Sequence, residues 1–393
     1  MSGDKIVIPA AEFAERRRRA ADGARRLGLD ALLVGGRGGG TLDRYGDVMY
    51  LTNHYTSFPY IPDLPGSWTG RAHAFLVLPV GGRPTLVIDV PYVDELALPR
   101  DEIVIADLVI EDTIAALKAA GLEGAKIGLV GGDTIPHSMF QQFAAALPKA
   151  TWVNADAVLA DLRSIKSPAE IAKLKAASAL GSRMLDAMMD AAKPGASHGD
   201  VVAAGLARLV PAGGMLYNSF MASGRGGDDP TYIRSSFPTW GATSRLENGQ
   251  WFRIGISGVL DGYCFDLARA RPIEPPTNAQ ISAFEAAISV IETGIATVRP
   301  GATAGEIGRA GRAKQDALGY PFKGVFSALG HGVGLGWDSP WLAPDDATVI
   351  KPNMVLCLEK TLMKDGYLGD FEETVVVTES GCETITNARK RYW

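Results

Sequence analysis

Five side chains able to ligate a cation or move a proton stand in apolar, extended segments of the second half of the chain. Asp266 lies in RIGISGVLDGYCFDLARAR (253–271), and His331 in the glycine-rich ALGHGVGLGWDSP (328–340). Glu359 ends MVLCLEK (354–360), and Glu372 and Glu373 begin DFEETVVVTESG (370–381). A carboxylate among buried neighbours is costly unless it is protonated, paired or bound to a metal, so Asp266 requires a partner. A salt bridge to Arg269 or Arg271 is the plain alternative. Successive strand residues face opposite ways, so only one of Glu372 and Glu373 can look into a shared site. Together, Asp, His, Glu and Glu form an oxygen-rich set with one imidazole, suited to a divalent cation such as Mn, Fe or Zn.

The elements that must carry these residues follow from turn and cap signals. Asp261-Gly262 is a hairpin turn, which pairs Leu260 with Tyr263, sets Ser257 opposite Asp266 and puts Gly255 on the same face, one diagonal step away. KPGASHGDVVAAG at 193 recurs as RPGATAGEIGRAG at 299, so this half of the chain is internally duplicated. Ser197 with Asp200, and Thr303 with Glu306, have capping-box spacing. His198, whose counterpart is Ala304, falls on the first turn of a capped helix and is expected to be solvated, without a role.

A chain of 393 residues, 47% hydrophobic and 21% charged, is long enough for two domains with sizeable cores. A net charge of −5 argues against nucleic acid, and no apolar run reaches the roughly 18 residues of a membrane span. Three scattered cysteines and an N-terminus without secretory features suggest a reducing cytoplasm. The first segment alternates helix and strand signals, as an α/β domain does. Arginines 17 to 19 read as a solvated helix face, and GGRGGG (35–40) as a surface loop, because TLDRYGDVMYLTNHY after it lacks the helix pattern a phosphate loop needs. The alternation stops before the long helix IAKLKAASALGSRMLDAMMDAA, which puts the boundary near 160, with domains at 1–160 and 161–393.

The constellation and its duplicated setting resemble the pita-bread fold of the creatinase, prolidase and aminopeptidase P family. LRSIKSPAEIAKLKAAS (162–178), GY-x-x-D (262–266), GHGVG (330–334), the strand ending in Glu359 and EET (372–374) occur in that family's order. The resemblance implies an α+β protein, an N-terminal creatinase-like α/β domain followed by the pita-bread domain. It implies metal ligands at Asp266, His331, Glu359 and Glu372, with Glu372 chosen over Glu373. It also implies a homodimer in which the segment 54–68 closes a neighbouring subunit's site, as YGDVMYLTNHY (45–55) is similar to the family's "YLT" segment.

Departures from the pattern are informative. The metallopeptidases of this family hold two metals, and the first of their two aspartates falls where this chain has Gly255. One metal is expected here and the second site is expected to be absent; an aspartate restored at 255 is expected to raise the capacity. Further histidines are missing, and Lys360 replaces a usual proline. The expected activity is therefore hydrolysis of a C–N bond, amide, amidino or peptide-like, in a small polar substrate. Asp338 is the candidate general base, since the sequence shows no partner for it. Arg269, at a position that faces substrate in creatinase-like relatives, is the candidate for a substrate carboxylate. Aromatic residues of two loops, Tyr55, Phe58, Tyr60, Trp68, Tyr232 and Trp240, with Trp337, are candidates for substrate contact. The alternatives are a lyase, an Xaa-Pro dipeptidase, a metal-free creatinase-like enzyme with His331 as proton carrier, and a binding protein that has lost catalysis.

Overall fold

A computed structural model describes residues 6–38, 44–56, 58–91, 93, 95–237, 241–322 and 326–393. The chain divides into two compact units at Arg163/Ser164.

The first unit runs α1 (Ala10–Arg26), β1 (Ala31–Arg37), α2 (Gly46–Thr52), β2 (His73–Pro79), β3 (Thr85–Ile88), β4 (Ile103–Ile105), α3 (Val109–Ala119), β5 (Lys126–Val130), α4 (His137–Ala146), β6 (Thr151–Asn154) and α5 (Asp156–Ser164). Its strands form one mixed sheet in the order β4-β3-β2-β1-β5-β6. A core including Leu33, Phe75, Val87, Ile110, Ile127 and Phe143 joins the sheet to its helices. Three expectations change here. Residues 35 to 37 belong to β1 rather than to a loop. The segment after the glycines does form a helix, α2, with Val48, Tyr50 and Leu51 buried. Arg17 is buried and donates to the Leu51 carbonyl at 2.7 Å, while Arg18 stays in solvent, paired with Glu15 and Asp22.

The second unit contains α6 (Pro168–Ala191), α7 (His198–Leu209), β7 (Met215–Gly226), β8 (Asp229–Phe237), β9 (Trp251–Leu260), β10 (Tyr263–Pro272), α8 (Asn278–Thr297), α9 (Ala304–Ala317), β11 (Gly330–Val333), β12 (Trp337–Trp341), β13 (Val355–Lys364), β14 (Tyr367–Val377) and β15 (Cys382–Thr384). The sheet order is β12-β11-β13-β14-β10-β9-β7-β8, with β15 added to β14. Each half therefore repeats one strand order, and the halves meet where β10 pairs with β14. Helix pairs α6/α7 and α8/α9 lead the two halves. Ser197 and Thr303 cap the second helix of each pair in complete capping boxes with Asp200 and Glu306, so the repeated sequence marks repeated geometry. Apolar residues from each helix pair pack on the same sheet in two cores, one including Met184, Phe252 and Phe265, the other Ile291, Leu356 and Phe371.

Candidate metal centre

The β9–β10 hairpin turns through Asp261 (φ 49°) and Gly262 (φ 82°), both left-handed, as a two-residue turn requires. The register is the one read from the sequence: Leu260 pairs with Tyr263, Ser257 with Asp266 and Gly255 with Ala268. On the neighbouring strands Glu359 of β13 stands directly opposite Glu372 of β14, and Cys357 opposite Thr374. His331 enters from β11, pinned between β12 and β13. At Gly330 (φ 151°) an added Cβ would meet the Cys357 carbonyl oxygen at 1.9 Å, and at Gly332 it would meet Ser339 O at 2.4 Å. The glycines let three backbones close on one another, leaving the imidazole as the protruding group.

Five side chains converge. His331 Nε2 lies 3.7 Å from Asp266 Oδ2 and 3.8 Å from Glu359 Oε1. Ligand atoms of His331, Cys357 and Glu372 lie within 4.8 Å of one another. Two donors each about 2.0–2.2 Å from one ion stand roughly 3–4 Å apart, so the separations of His331 from Asp266 and Glu359 suit a shared cation. The partners of these candidate ligands are in place as well. Asp266 accepts from Ser257 Oγ at 2.8 Å and from Trp337 Nε1 at 2.7 Å. Cys357 donates its thiol to Glu372 Oε1 at 2.9 Å. The Nδ1 of His331 lies 2.8 Å from Gly332 O, which fixes the proton there and leaves Nε2 a lone pair facing the carboxylates.

Electrostatics point the same way. Burial raises Asp266, against the pull of His331 and the hydrogen bonds from Ser257 and Trp337. Burial and then the Asp266 charge raise Glu359, opposed by His331 and Arg253. Glu372 is pushed well up by burial, Asp266 and Glu359. Burial first, and the Glu372 charge next, push the Cys357 thiol up. Carboxylates that burden one another in this way are relieved by a bound cation, and the donor set of one nitrogen and several oxygens fits Mn, Fe or Zn.

Beside this cluster on the same sheet face is a cavity of about 640 Å3, with Phe220, Tyr232, Arg234, Arg253, Met363 and Leu368 among its walls. Tyr232 carries the Arg234 guanidinium over its ring at 4.8 Å. Trp337 is half-exposed and meets the His331 ring with centroids 5.8 Å apart. Tyr55, Phe58, Tyr60 and Trp68 belong to the first unit, where Tyr55 packs edge-on against Tyr45 and Trp68 Nε1 donates to Pro62 O. Trp240 lies outside the described residues.

Three readings of the sequence are corrected. Arg269 is completely buried and faces away from the ligands. Its Nη2 lies 2.6 Å from Glu373 Oε1, its other donors serve the carbonyls of Glu372, Ala388 and Arg389, and its guanidinium covers the Phe371 ring at 4.1 Å. It is thus a structural cation, and Glu373, the neighbour that strand alternation turns away from the site, is its counter-ion. Asp338 has a partner distant in sequence, Lys166, with Nζ 3.2 Å from Oδ2 and both groups buried. His198 is buried, not solvated; it lies between Ser235 and Ser223, against Phe252, because β7 and β8 cover the first turn of α7. Sequence reasoning passed over Cys357 and Arg253. Period-two alternation from Glu359 back to Cys357, and from Ser257 through Gly255 to Arg253, places both on the ligand face.

Comparison with known proteins gives the same outline. Residues 172–379 match the model of metallopeptidase family M24, and residues 16–165 match the creatinase/prolidase N-terminal domain. An Xaa-Pro dipeptidase of Pyrococcus furiosus is 26% identical over 67% of this chain and 74% of its own length. An ectoine hydrolase of Halomonas elongata is 24% identical over 63% of this chain and 64% of its own. The crystal structure of dipeptidase PepE from Mycobacterium ulcerans superposes with a TM-score of 0.77 at 25% identity, covering 98% of both chains. Among the described residues, no helix is long and apolar enough to cross a membrane.

Proposed function

Because the chain belongs to metallopeptidase family M24, a family of hydrolases, we propose that it hydrolyses a C–N bond of a small polar substrate. One divalent cation, Mn, Fe or Zn, is held by Asp266, His331, Glu359 and Glu372. The observation that carries this reading is the convergence of His331 Nε2 on Asp266 and Glu359, at 3.7 and 3.8 Å, with Glu372 directly across from Glu359. Bound there, such an ion polarises a carbonyl or lowers the pKa of a water. The protein does the rest of the positioning. Ser257 and Trp337 orient Asp266, Cys357 orients Glu372, and the Gly332 carbonyl selects the His331 tautomer. Glu359, whose side chain is 36% exposed, is the ligand nearest to solvent and so to an incoming substrate. The cavity walled by Phe220, Tyr232, Met363 and Leu368 receives the body of that substrate.

The relatives named above cleave different compounds, so family membership leaves the substrate open, and the missing carboxylate at 255 weighs against an Xaa-Pro dipeptidase with two metals. The same fold accommodates a lyase. Product mass in heavy-oxygen water separates the two, since hydrolysis alone incorporates solvent oxygen. Elemental analysis of the purified protein is expected to find one metal per chain and none in Glu359→Ala. Two metals in the wild type return the dipeptidase reading. No metal, with activity that survives chelation, favours creatinase-like acid–base chemistry. We extend the proposal to a cytoplasmic homodimer whose segment 54–68, with Tyr55 and Trp68, approaches the partner's substrate; a monomer by light scattering rejects it.

A further inference from the structure

The space above Gly255 is bordered by a cation of the protein itself. A Cβ added at 255 would lie 3.7 Å from Arg253 Nη1 and 3.9 Å from Nη2, with Ala268 Cβ at 3.7 Å on its other side. The guanidinium reaches that spot because residues 253, 255 and 257 share one face of β9, the face on which Ser257 meets Asp266. Nη2 lies 2.6 Å from Asp370 Oδ2 and 3.4 Å from Thr361 Oγ1, and Nη1 donates to Phe220 O at 2.9 Å. Asp370 is itself buried and accepts from Thr361 Oγ1 at 2.9 Å, so the anchor of the arginine is held in turn. Asp370 and Thr361 are each two residues along their strands from Glu372 and Glu359, on the same side of the sheet. The guanidinium therefore stands one step from the metal ligands.

We propose that Arg253 is a built-in cation that keeps the centre mononuclear, its guanidinium holding the place a second metal and its carboxylate at 255 would require. This rests on the single-metal reading above. A positive charge fixed within about 4 Å of that position repels a second dication, and a carboxylate introduced at 255 would meet the guanidinium before it met a metal. The glycine and the arginine are thus two parts of one arrangement. A Cβ at 255 would fit in ordinary van der Waals contact, so what the guanidinium opposes there is the second metal rather than a side chain.

The test is metal content by elemental analysis after saturation with Mn or Zn and desalting. The wild type is expected to hold one ion per chain, and, against the expectation from the sequence alone, so is Gly255→Asp, because its carboxylate meets Arg253. Gly255→Asp combined with Arg253→Met and Asp370→Asn is expected to hold two; the asparagine avoids leaving a buried carboxylate unpaired, and a thermal melt confirms folding. Two ions in Gly255→Asp alone, or one in the folded triple variant, would overturn the role of Arg253 while leaving the single-metal centre intact. Absence of metal from the wild type would instead remove the centre on which the inference rests.

Discussion

Trp337 donates its indole Nε1 to Asp266 Oδ2, the same oxygen that lies 3.7 Å from His331 Nε2. The indole also meets the imidazole edge to face, so one side chain of β12 steers two of the proposed ligands, which come from β10 and β11. Trp337→Phe keeps the ring and removes the donor. Groups that orient ligands contribute about 10–100-fold to metal affinity, and this variant is expected to lose about 10-fold or more for Zn. Competition with a chromogenic chelator measures it. An unchanged affinity would make the indole a bystander.

Arg269 and Glu373 form a buried pair on the face of the sheet opposite the ligands. Removing one member leaves the other charged and dry, which typically costs about 3–5 kcal/mol. Arg269→Met should lower the denaturant midpoint accordingly, and Arg269→Met with Glu373→Gln should recover much of the loss. A substrate-binding arginine would behave differently, raising KM at unchanged stability.

His198 supplies a pH dependence. Burial pushes it down to about 4, whereas in the unfolded chain it titrates near 6.5. Between those values the unfolded chain binds more protons, so stability is complete above about 6.5 and declines as the pH falls toward 4. The share of this one histidine between pH 7 and 5 is about 2 kcal/mol. His198→Gln should flatten the wild-type curve by that amount in urea melts at the two pH values. His54, buried in the first unit and likewise lowered to about 4, retains its own share in the variant.

What the sequence revealed was local. The turn residues Asp261 and Gly262 set the register of a whole hairpin, and alternation alone required Glu372 and Glu373 to face opposite ways. Both inferences need only neighbouring positions. The partners of Asp338 and Arg269 were invisible because they lie far along the chain, at Lys166 and Glu373, and are brought near by packing. Likewise, the burial of His198 depends on β7 and β8 folding back over its helix. Helix α2 escaped notice because seven residues are too few to display a helical period. Arg253 was legible by the same alternation that placed Gly255. It was missed because a missing carboxylate reads as a vacancy until the cation beside it is seen.

The Lys166–Asp338 pair distinguishes a structural acid from a catalytic one. Asp338 pairs with Gly332 across β11 and β12 and adjoins Trp337, so the ion pair fixes the hairpin that presents both His331 and the indole. Each single change, Lys166→Met or Asp338→Asn, strips a buried charge of its partner and should destabilise by about 3–5 kcal/mol. The double variant should be more stable than the sum of the two losses predicts, with a coupling of about 1–3 kcal/mol in a double-mutant cycle. Residual activity of Asp338→Asn should keep the wild-type inflections in its pH profile, since the proton inventory of the reacting groups is untouched. If stability were unchanged while an inflection vanished, Asp338 would be the general base and Lys166 the group that tunes it.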